Sequence, residues 1–267
     1  HHTIGRRQRQ MCIRDRGSTM SKRSSTGGYD PSGIDLDEWE ILENQLEESI
    51  PNYDRVNRLM TFGQDSIWRK NVRNHAEDGM VVLEVGCGPG SFAEDIENVD
   101  LTCLDPSPEM LKVAKVRVEH ARKSRGETPA TYVQAIAEEI PLPDNTFDRV
   151  FCLFSFRDFQ DKRKGLEEIY RVLKPGGMLV ICDAGKANWL HGLAGRIWMS
   201  TVVQLMARYV TRKKDHPWKG LAKTYSHYGT NGYYRKMMRE VGYQNVKGRL
   251  LLPFGMASRF KGSKPND

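Results

Sequence analysis

The chain has 267 residues, 39% apolar and 28% charged, enough for one α/β domain with appendages. No uninterrupted apolar run reaches the ~18 residues that would suggest a spanning helix. The formal charge of +7 is uneven: residues 186–267 hold 16 basic and 3 acidic residues, against 20 and 30 in residues 20–185, so the C-terminal third points to an anionic surface, either nucleic acid or membrane headgroups.

In chain order, residues 1–19, HHTIGRRQRQMCIRDRGST, carry five arginines, one acid and no apolar periodicity. The stretch IGRRQRQMCIRDR resembles translated sequencing-adapter sequence, and nothing functional is assigned to it. The following SKRSSTGGYDPSG is polar, so residues 1–34 are expected to be a disordered or artefactual tail. From Asp35 the pattern turns helical, with Trp39, Leu42 and Leu46 at helical spacing and a second helical run in YDRVNRLMTFGQDSIWRKNV; residues 35–79 read as a helical lid. Strands then alternate with helices over 80–185. MVVLEV, LTCLD, TYVQA, DRVFCLF and MLVICD are the strands, and helices are expected near 91–98, 107–123 and 161–174. A helical region from 187 to about 241 and two closing strands, VKGRLLL and GMASRFKG, complete a unit over 186–262, with 263–267 as a tail. The expected fold is a Rossmann-like, doubly wound α/β sheet of seven strands, mostly parallel. Cys87, Cys103, Cys152 and Cys182 lie at or beside strands, with no CxxC pair and no His/Cys cluster at zinc spacing. They read as core residues of a reduced cytoplasmic protein with no metal site.

VVLEVGCGPGSF at 81–92 is the first chemical motif. In a doubly wound sheet the loop after the first strand and the end of the second face one pocket. Gly86, Gly88 and Gly90 permit tight turning and close approach of a ligand to the backbone. Asp105 ends the second strand, with Pro106 beside it, placed to accept hydrogen bonds from two ribose hydroxyls. NAD and S-adenosylmethionine both fit so far. The spacing G-C-G-P-G is not the dinucleotide G-x-G-x-x-G, whose helix N-terminus holds a pyrophosphate; Glu84 and Pro89 suit a cofactor that carries an ammonium and no phosphate. AEEIPLPDNTFDRV, RVLKPGGMLVICD and the spacing of these segments resemble class I methyltransferases throughout the core, and that family resemblance implies an antiparallel last strand in the sheet.

The resemblance extends further. YDRVNRLMTFGQDSIWRK, VLEVGCGPG, AEEIPLPDNTFD, FSFRDFQDKRKGLEEIYRVLKPGG and YYRKMMREVGYQNV are similar to the ubiquinone/menaquinone biosynthesis C-methyltransferases (UbiE/MenG type) over roughly residues 50–260. The resemblance implies that Gly86, Gly88 and Gly90 line S-adenosylmethionine, that Asp105 binds its ribose, that Ile136 and Ala137 flank the adenine and that Leu153 lines the far side. Three positions depart from the family: Ile136, where it often has asparagine or aspartate, Pro89, where it often has threonine, and Asp158, where it often has asparagine. The implied acceptor is a polyprenylated quinol, demethylmenaquinol or a benzoquinol precursor. Ring methylation of such a quinol needs alignment of a carbon nucleophile with the methyl group, a cation or donor near the quinol oxygen, and a proton acceptor.

Arg157 matches the family arginine and is the first candidate for the electrostatic role, its rival reading being an ion pair with Asp158 or Asp161. Asp158 could orient a water or act as base, although adjacency to arginine favours a low pKa. Tyr53 and Asn57 are candidates to close over the site, and His227 is a further proton acceptor. In ANWLHGLAGRIWMSTVVQLMARYVTRKK, the polar residues at 188, 196, 200, 204 and 208 leave a broad apolar face. With the basic C-terminal third, this face suits peripheral contact with anionic lipid at the inner side of a membrane, and a homodimer is left open. A methyltransferase of another lipid or small molecule is the alternative enzyme. An RNA-binding methyltransferase would use the same basic third, but the chain lacks the aromatic-plus-proline motif of amino methyltransferases, so nucleic acid is not the expected partner.

Overall fold

The computed structural model describes residues 31–251 and 257–266. The expected tail at 1–34 therefore falls mostly outside the described residues, as do residues 252–256 between the closing strands. Seven strands form one sheet in the order β3-β2-β1-β4-β5-β7-β6: β1 Val81–Val85, β2 Asp100–Asp105, β3 Thr131–Gln134, β4 Phe147–Leu153, β5 Leu173–Ala184, β6 Gln244–Leu251 and β7 Ala257–Ser263. β1 to β5 pair in parallel, as the strand and helix alternation implied, and β7 is antiparallel to both β5 and β6. Parallel strands are covered on both faces and read as continuous apolar runs; VVLEV and FDRVFCL are buried along most of their length. Two apolar clusters lie on the two faces, one around Phe156, Leu166 and Phe260, the other around Trp68, Ala114 and Phe151.

The helices are α1 Leu36–Ser49, α2 Tyr53–Met60, α3 Gln64–Arg73, α4 Pro108–Ser124, α5 Lys162–Val172, α6 Trp189–Ser200, α7 Val202–Thr211, α8 Leu221–His227 and α9 Asn231–Val241. Side-chain caps start several of them: Asp35 accepts from the Glu38 amide, Ser107 from Met110 and Asp161 from Lys164.

Four expectations need correction. The helix expected near 91–98 is only a 3-10 turn at Ala93–Asp95. Carbonyls at its end are taken by arginine side chains instead of helix amides: Arg125 donates to Glu94 O and Ile96 O, and Arg73 to Asp95 O. The helix expected to run to 174 ends at Val172, and Lys174-Pro-Gly-Gly belongs to β5 with a register shift opposite β4; Pro175 lacks a donor and Gly176 has φ +75°. The apolar stretch from 187 is two helices, not one. They break at Thr201, whose hydroxyl donates to the Ile197 carbonyl at 2.6 Å while Gln204 Nε2 donates to Met199 O at 2.8 Å, side-chain bonds that compete with the helix ladder. Finally, the C-terminal end is tied down: Ser263 is in β7, and Lys264 Nζ donates to the carbonyls of Tyr170 and Leu173.

Candidate active site

The carboxyl ends of β1, β2 and β4 converge on a cleft of about 780 Å³. After β1 the chain turns sharply, with the amides of Gly86 and Cys87 both donating to Leu104 O at 2.7 and 3.0 Å. Gly86 has φ +71°, and a Cβ there would lie 2.4 Å from Ser155 Cβ, so the segment just after β4 packs directly against the glycine. Asp105 clamps the loop to β2: Oδ2 accepts from the Gly88 amide at 2.8 Å and Oδ1 from Ser107 at 3.0 Å. Burial nevertheless pushes its carboxyl up to about 6.

Of the residues singled out for the cofactor, Gly86, Gly88, Asp105, Pro106, Ile136, Ala137 and Leu153 line this cleft. Glu84, Pro89 and Gly90 do not. Glu84 is buried within the sheet, where burial raises its carboxyl well above the usual range, and its Oε2 has no hydrogen-bond partner among the described residues. Pro89 is buried in the turn. Gly90, at φ +80°, is needed for packing, since a Cβ would stand 3.0 Å from Ala114 Cα in α4. The cleft fits an adenosyl ligand. Asp105 spends one hydrogen bond of each oxygen on a backbone amide and keeps acceptor capacity toward the cleft for vicinal hydroxyls; Gly88 has nothing within 4 Å of its Cβ position. The other wall comes from the lid, where Trp39, Glu43 and Leu46 of α1 line the same cleft. Helical spacing alone did not distinguish these from core residues.

A second chamber of about 630 Å³ adjoins the first, and Leu46, Tyr53 and Phe154 line both. Phe154 follows β4 at φ +57°, a conformation costly for a bulky side chain, and its amide is fixed on Cys182 O at 2.7 Å. The 3-10 turn Phe156–Asp158 then puts neighbouring residues on different sides: Arg157 lines the second chamber and Asp158 the first. The Arg157 guanidinium lies between two carboxylates, Asp158 at 3.1 Å and the fully buried Asp183 at 3.5 Å, and its amide also donates to Asp183 at 2.9 Å. Asp161 caps α5 instead. Burial acts to lower the arginine's pKa, but Asp158 and Asp183 raise it overall. The low pKa expected for Asp158 is corrected: burial outweighs the adjacent cation and lifts the carboxyl to about 6, within the range of a useful base. Burial also raises the Tyr53 phenol, opposed by Arg69 and Arg157. Asn57 lines the second chamber. His227 is not brought to either cavity; its Nδ1 sits 3.9 Å from Glu38 Oε2.

Sequence reasoning also missed the clasp that seats α2. Asp54, beside Tyr53, accepts from Ser91 Oγ at 2.6 Å, pairs with Arg117 at 2.7 Å and lies 3.8 Å from Arg69, whose Nη1 donates to Ser91 O at 2.9 Å. It ties the lid to the glycine turn and α4.

Solved structures share this architecture. A possible histamine N-methyltransferase from Thermotoga maritima, described as S-adenosylmethionine-dependent, matches with a TM-score of 0.57 at 19% identity, covering 85% of this chain and 99% of that one. A methyltransferase of the same dependence from Aquifex aeolicus matches with a TM-score of 0.54 at 21% identity, covering 81% and 97%. Fold and cleft thus have the architecture of the class I, S-adenosylmethionine-dependent methyltransferases. The model of the ubiE/COQ5 methyltransferase family matches residues 39–264, and the chain belongs to that family. Its relatives include the demethylmenaquinone methyltransferases of Deinococcus radiodurans, 29% identical over 88% of this chain and 97% of the relative, and of Thermus thermophilus, 30% identical over 82% and 100%. The ubiquinone/menaquinone biosynthesis C-methyltransferase of Geotalea daltonii is 29% identical over 84% and 97%.

Proposed function

We propose that the protein methylates a ring carbon of a polyprenylated quinol, demethylmenaquinol in preference to a benzoquinol, with the donor in the first cleft and the acceptor ring in the second chamber. The observation that carries this is the shared wall of Leu46, Tyr53 and Phe154, which lets two ligands meet, with Arg157 on one side and Asp158 on the other. The second chamber suits the acceptor: Leu42, Met60, Trp218 and Leu221 give it apolar walls, and Tyr53, Asn57 and Arg157 give it a polar edge. When bound, S-adenosylmethionine supplies an electrophilic methyl group. Asp105 holds the ribose hydroxyls, and Gly86 and Gly88 let the ligand lie against backbone. Arg157 and the Tyr53 hydroxyl stabilise negative charge on the quinol oxygen, which raises the nucleophilicity of the ring carbon. The Asp158 carboxylate receives the proton lost as the ring regains aromaticity, directly or through a water. Alignment of ring and donor supplies the rest of the acceleration.

Access to a lipid substrate follows from the surface of α6 and α7. Trp189 (76% exposed), Leu190, Ile197, Leu205 and Tyr209 (81% exposed) face outward, and Arg212, Lys213 and Lys214 follow directly. No helix among the described residues is long and apolar enough to cross a membrane. An apolar face flanked by cations supports peripheral seating on anionic lipid at the inner side of the membrane. The test is transfer of label from S-adenosylmethionine to chemically reduced demethylmenaquinone or a benzoquinol analogue in anionic vesicles, with Ile197→Glu/Leu205→Glu as the docking variant. Label on the ring carbon, reduced in the variant with vesicles but not with a short-chain quinol in solution, supports both parts. Donor binding without transfer to either quinol refutes the acceptor.

A further inference from the structure

The β6–β7 hairpin carries a ladder of like charges away from the active site. Its register sets Leu251 against Ala257, Arg249 against Arg259 and Lys247 against Lys261. Alternate strand residues share a face, and Leu251 with Ala257 belongs to the core cluster that includes Trp68 and Val72 of α3. The four cations continue that face outward, while Phe260 points to the opposite core. Arg259 and Lys261 also act on His75, just beyond α3.

The groups acting on Arg259 and Lys261 are almost all cations. Besides burial, every group acting on Lys261 is a cation: Arg259, Lys247 and Arg249. Arg259 feels burial and then Arg249, with only the Cys182 thiol opposing. Among the described residues, no carboxylate forms an ion pair with any of the four. Like charges directly opposite each other weaken a sheet. Lysine on an edge strand guards against pairing with other chains, which accounts for β6. It does not account for the cations on β7, which lies inside the sheet between β5 and β6.

We infer that this face of the hairpin is a phosphate-binding site, taking a phosphate monoester or diester between the Arg249–Arg259 and Lys247–Lys261 pairs. Arginine forks match phosphate oxygens in bidentate fashion and lysines add point charge. The ligand is a lipid headgroup or a soluble phosphorylated molecule. The inference is independent of the quinol reading, because no residue of the ladder lines either cavity.

The test compares the full chain with Lys247→Glu/Arg249→Glu, both exposed positions on the edge strand, and with Lys247→Gln/Arg249→Gln. Thermal unfolding is followed in inorganic phosphate and in chloride at equal ionic strength. The wild type should gain about 2–4 °C in phosphate; the glutamate variant should gain nothing, and in chloride should melt no lower than the wild type because repulsion is removed. The glutamine variant should also lose the phosphate response with its melting in chloride preserved. Vesicles of phosphatidylcholine with and without phosphatidylglycerol separate the sources. Weaker sedimentation of both variants with phosphatidylglycerol assigns a headgroup, and a phosphate response without that difference assigns a soluble ligand. Equal melting of the wild type in phosphate and chloride overturns the site, as does an undiminished phosphate response in both variants, or a response to RNA alone.

Discussion

Replacing Arg157 by alanine removes the guanidinium held between Asp158 and Asp183. Asp183 is fully buried and would keep only the amides of residues 157 and 184, while Asp158 would keep the field of Lys162. Removing one partner of a buried pair costs about 3–5 kcal/mol, which for a domain of this size lowers Tm by roughly 6–20 °C. Lost turnover in Arg157→Ala is therefore ambiguous by itself, and the informative comparison is Arg157→Ala/Asp183→Asn, which removes the stranded charge as well. Urea unfolding should show the double variant recovering at least half of the lost stability. Single-turnover methyl transfer with donor and reduced acceptor saturating should remain slower by about 10²–10³ in both, the usual cost of deleting a stabilising donor at a developing oxyanion. Loss of less than about 1 kcal/mol in the single variant would sink the buried-pair account. Recovery of turnover along with stability in the double variant would show that Arg157 only holds the fold.

The pH dependence separates two carboxylates that burial lifts to about 6, Asp105 and Asp158. Donor affinity, measured by calorimetry, should fall below about pH 6 as Asp105 protonates, and single-turnover rate at saturating donor should fall in the same window through Asp158; a flat rate from pH 5 to 8 removes Asp158 as base. Both folded-state values lie above the ordinary 3.8, so the native protein binds more protons than the unfolded chain between about pH 4 and 6. These groups make stability fall as pH rises through that window, and saturating donor should flatten the slope; urea midpoints at several pH values, with and without donor, check it. Gly86→Ala places a Cβ 2.4 Å from Ser155 Cβ and should cost about 1–3 kcal/mol from overpacking, in addition to backbone strain. Gly88→Ala, with open space at its Cβ, should cost less stability while weakening donor binding, and the opposite ranking in paired unfolding and binding assays counts against the assigned packing. Asp54→Asn loosens the clasp on α2. Asp54 is partly exposed, so the fold should hold while kcat/KM drops by roughly two- to fivefold; an unchanged value for both substrates means the clasp does not position Tyr53.

Much of the fold was legible because parallel strands leave an unusual trace. VVLEV, LTCLD and MLVICD are too short and too continuously apolar for surface helices, and Gly and Pro punctuate them where the chain must turn. The Gly86 and Gly88 turn was legible for the same local reason, a backbone at positive φ. What failed was set by distant packing. Thr201 breaks the 189–211 helix through bonds that any threonine could make, and the sequence does not say which threonine will make them. Asp158 was read from its visible neighbour, Arg157, whereas its environment is fixed by burial among elements far along the chain. Trp39 and Leu46 form a helical stripe that looks the same whether it meets a core or a cofactor.

Asp183 is the instructive omission, because it could have been found. Neighbouring parallel strands bring their carboxyl ends together, so once DRVFCLF and MLVICD are read as adjacent strands, the residues just beyond the first must meet the last residues of the second. The register pairs Leu153 with Cys182, which places Asp183 beside the turn that carries Arg157, 26 residues away in sequence. A carboxylate at the end of one strand and an arginine after the next form a pair dictated by topology alone. The guanidinium is thereby anchored from behind, and its remaining donors are left for the chamber that Arg157 lines.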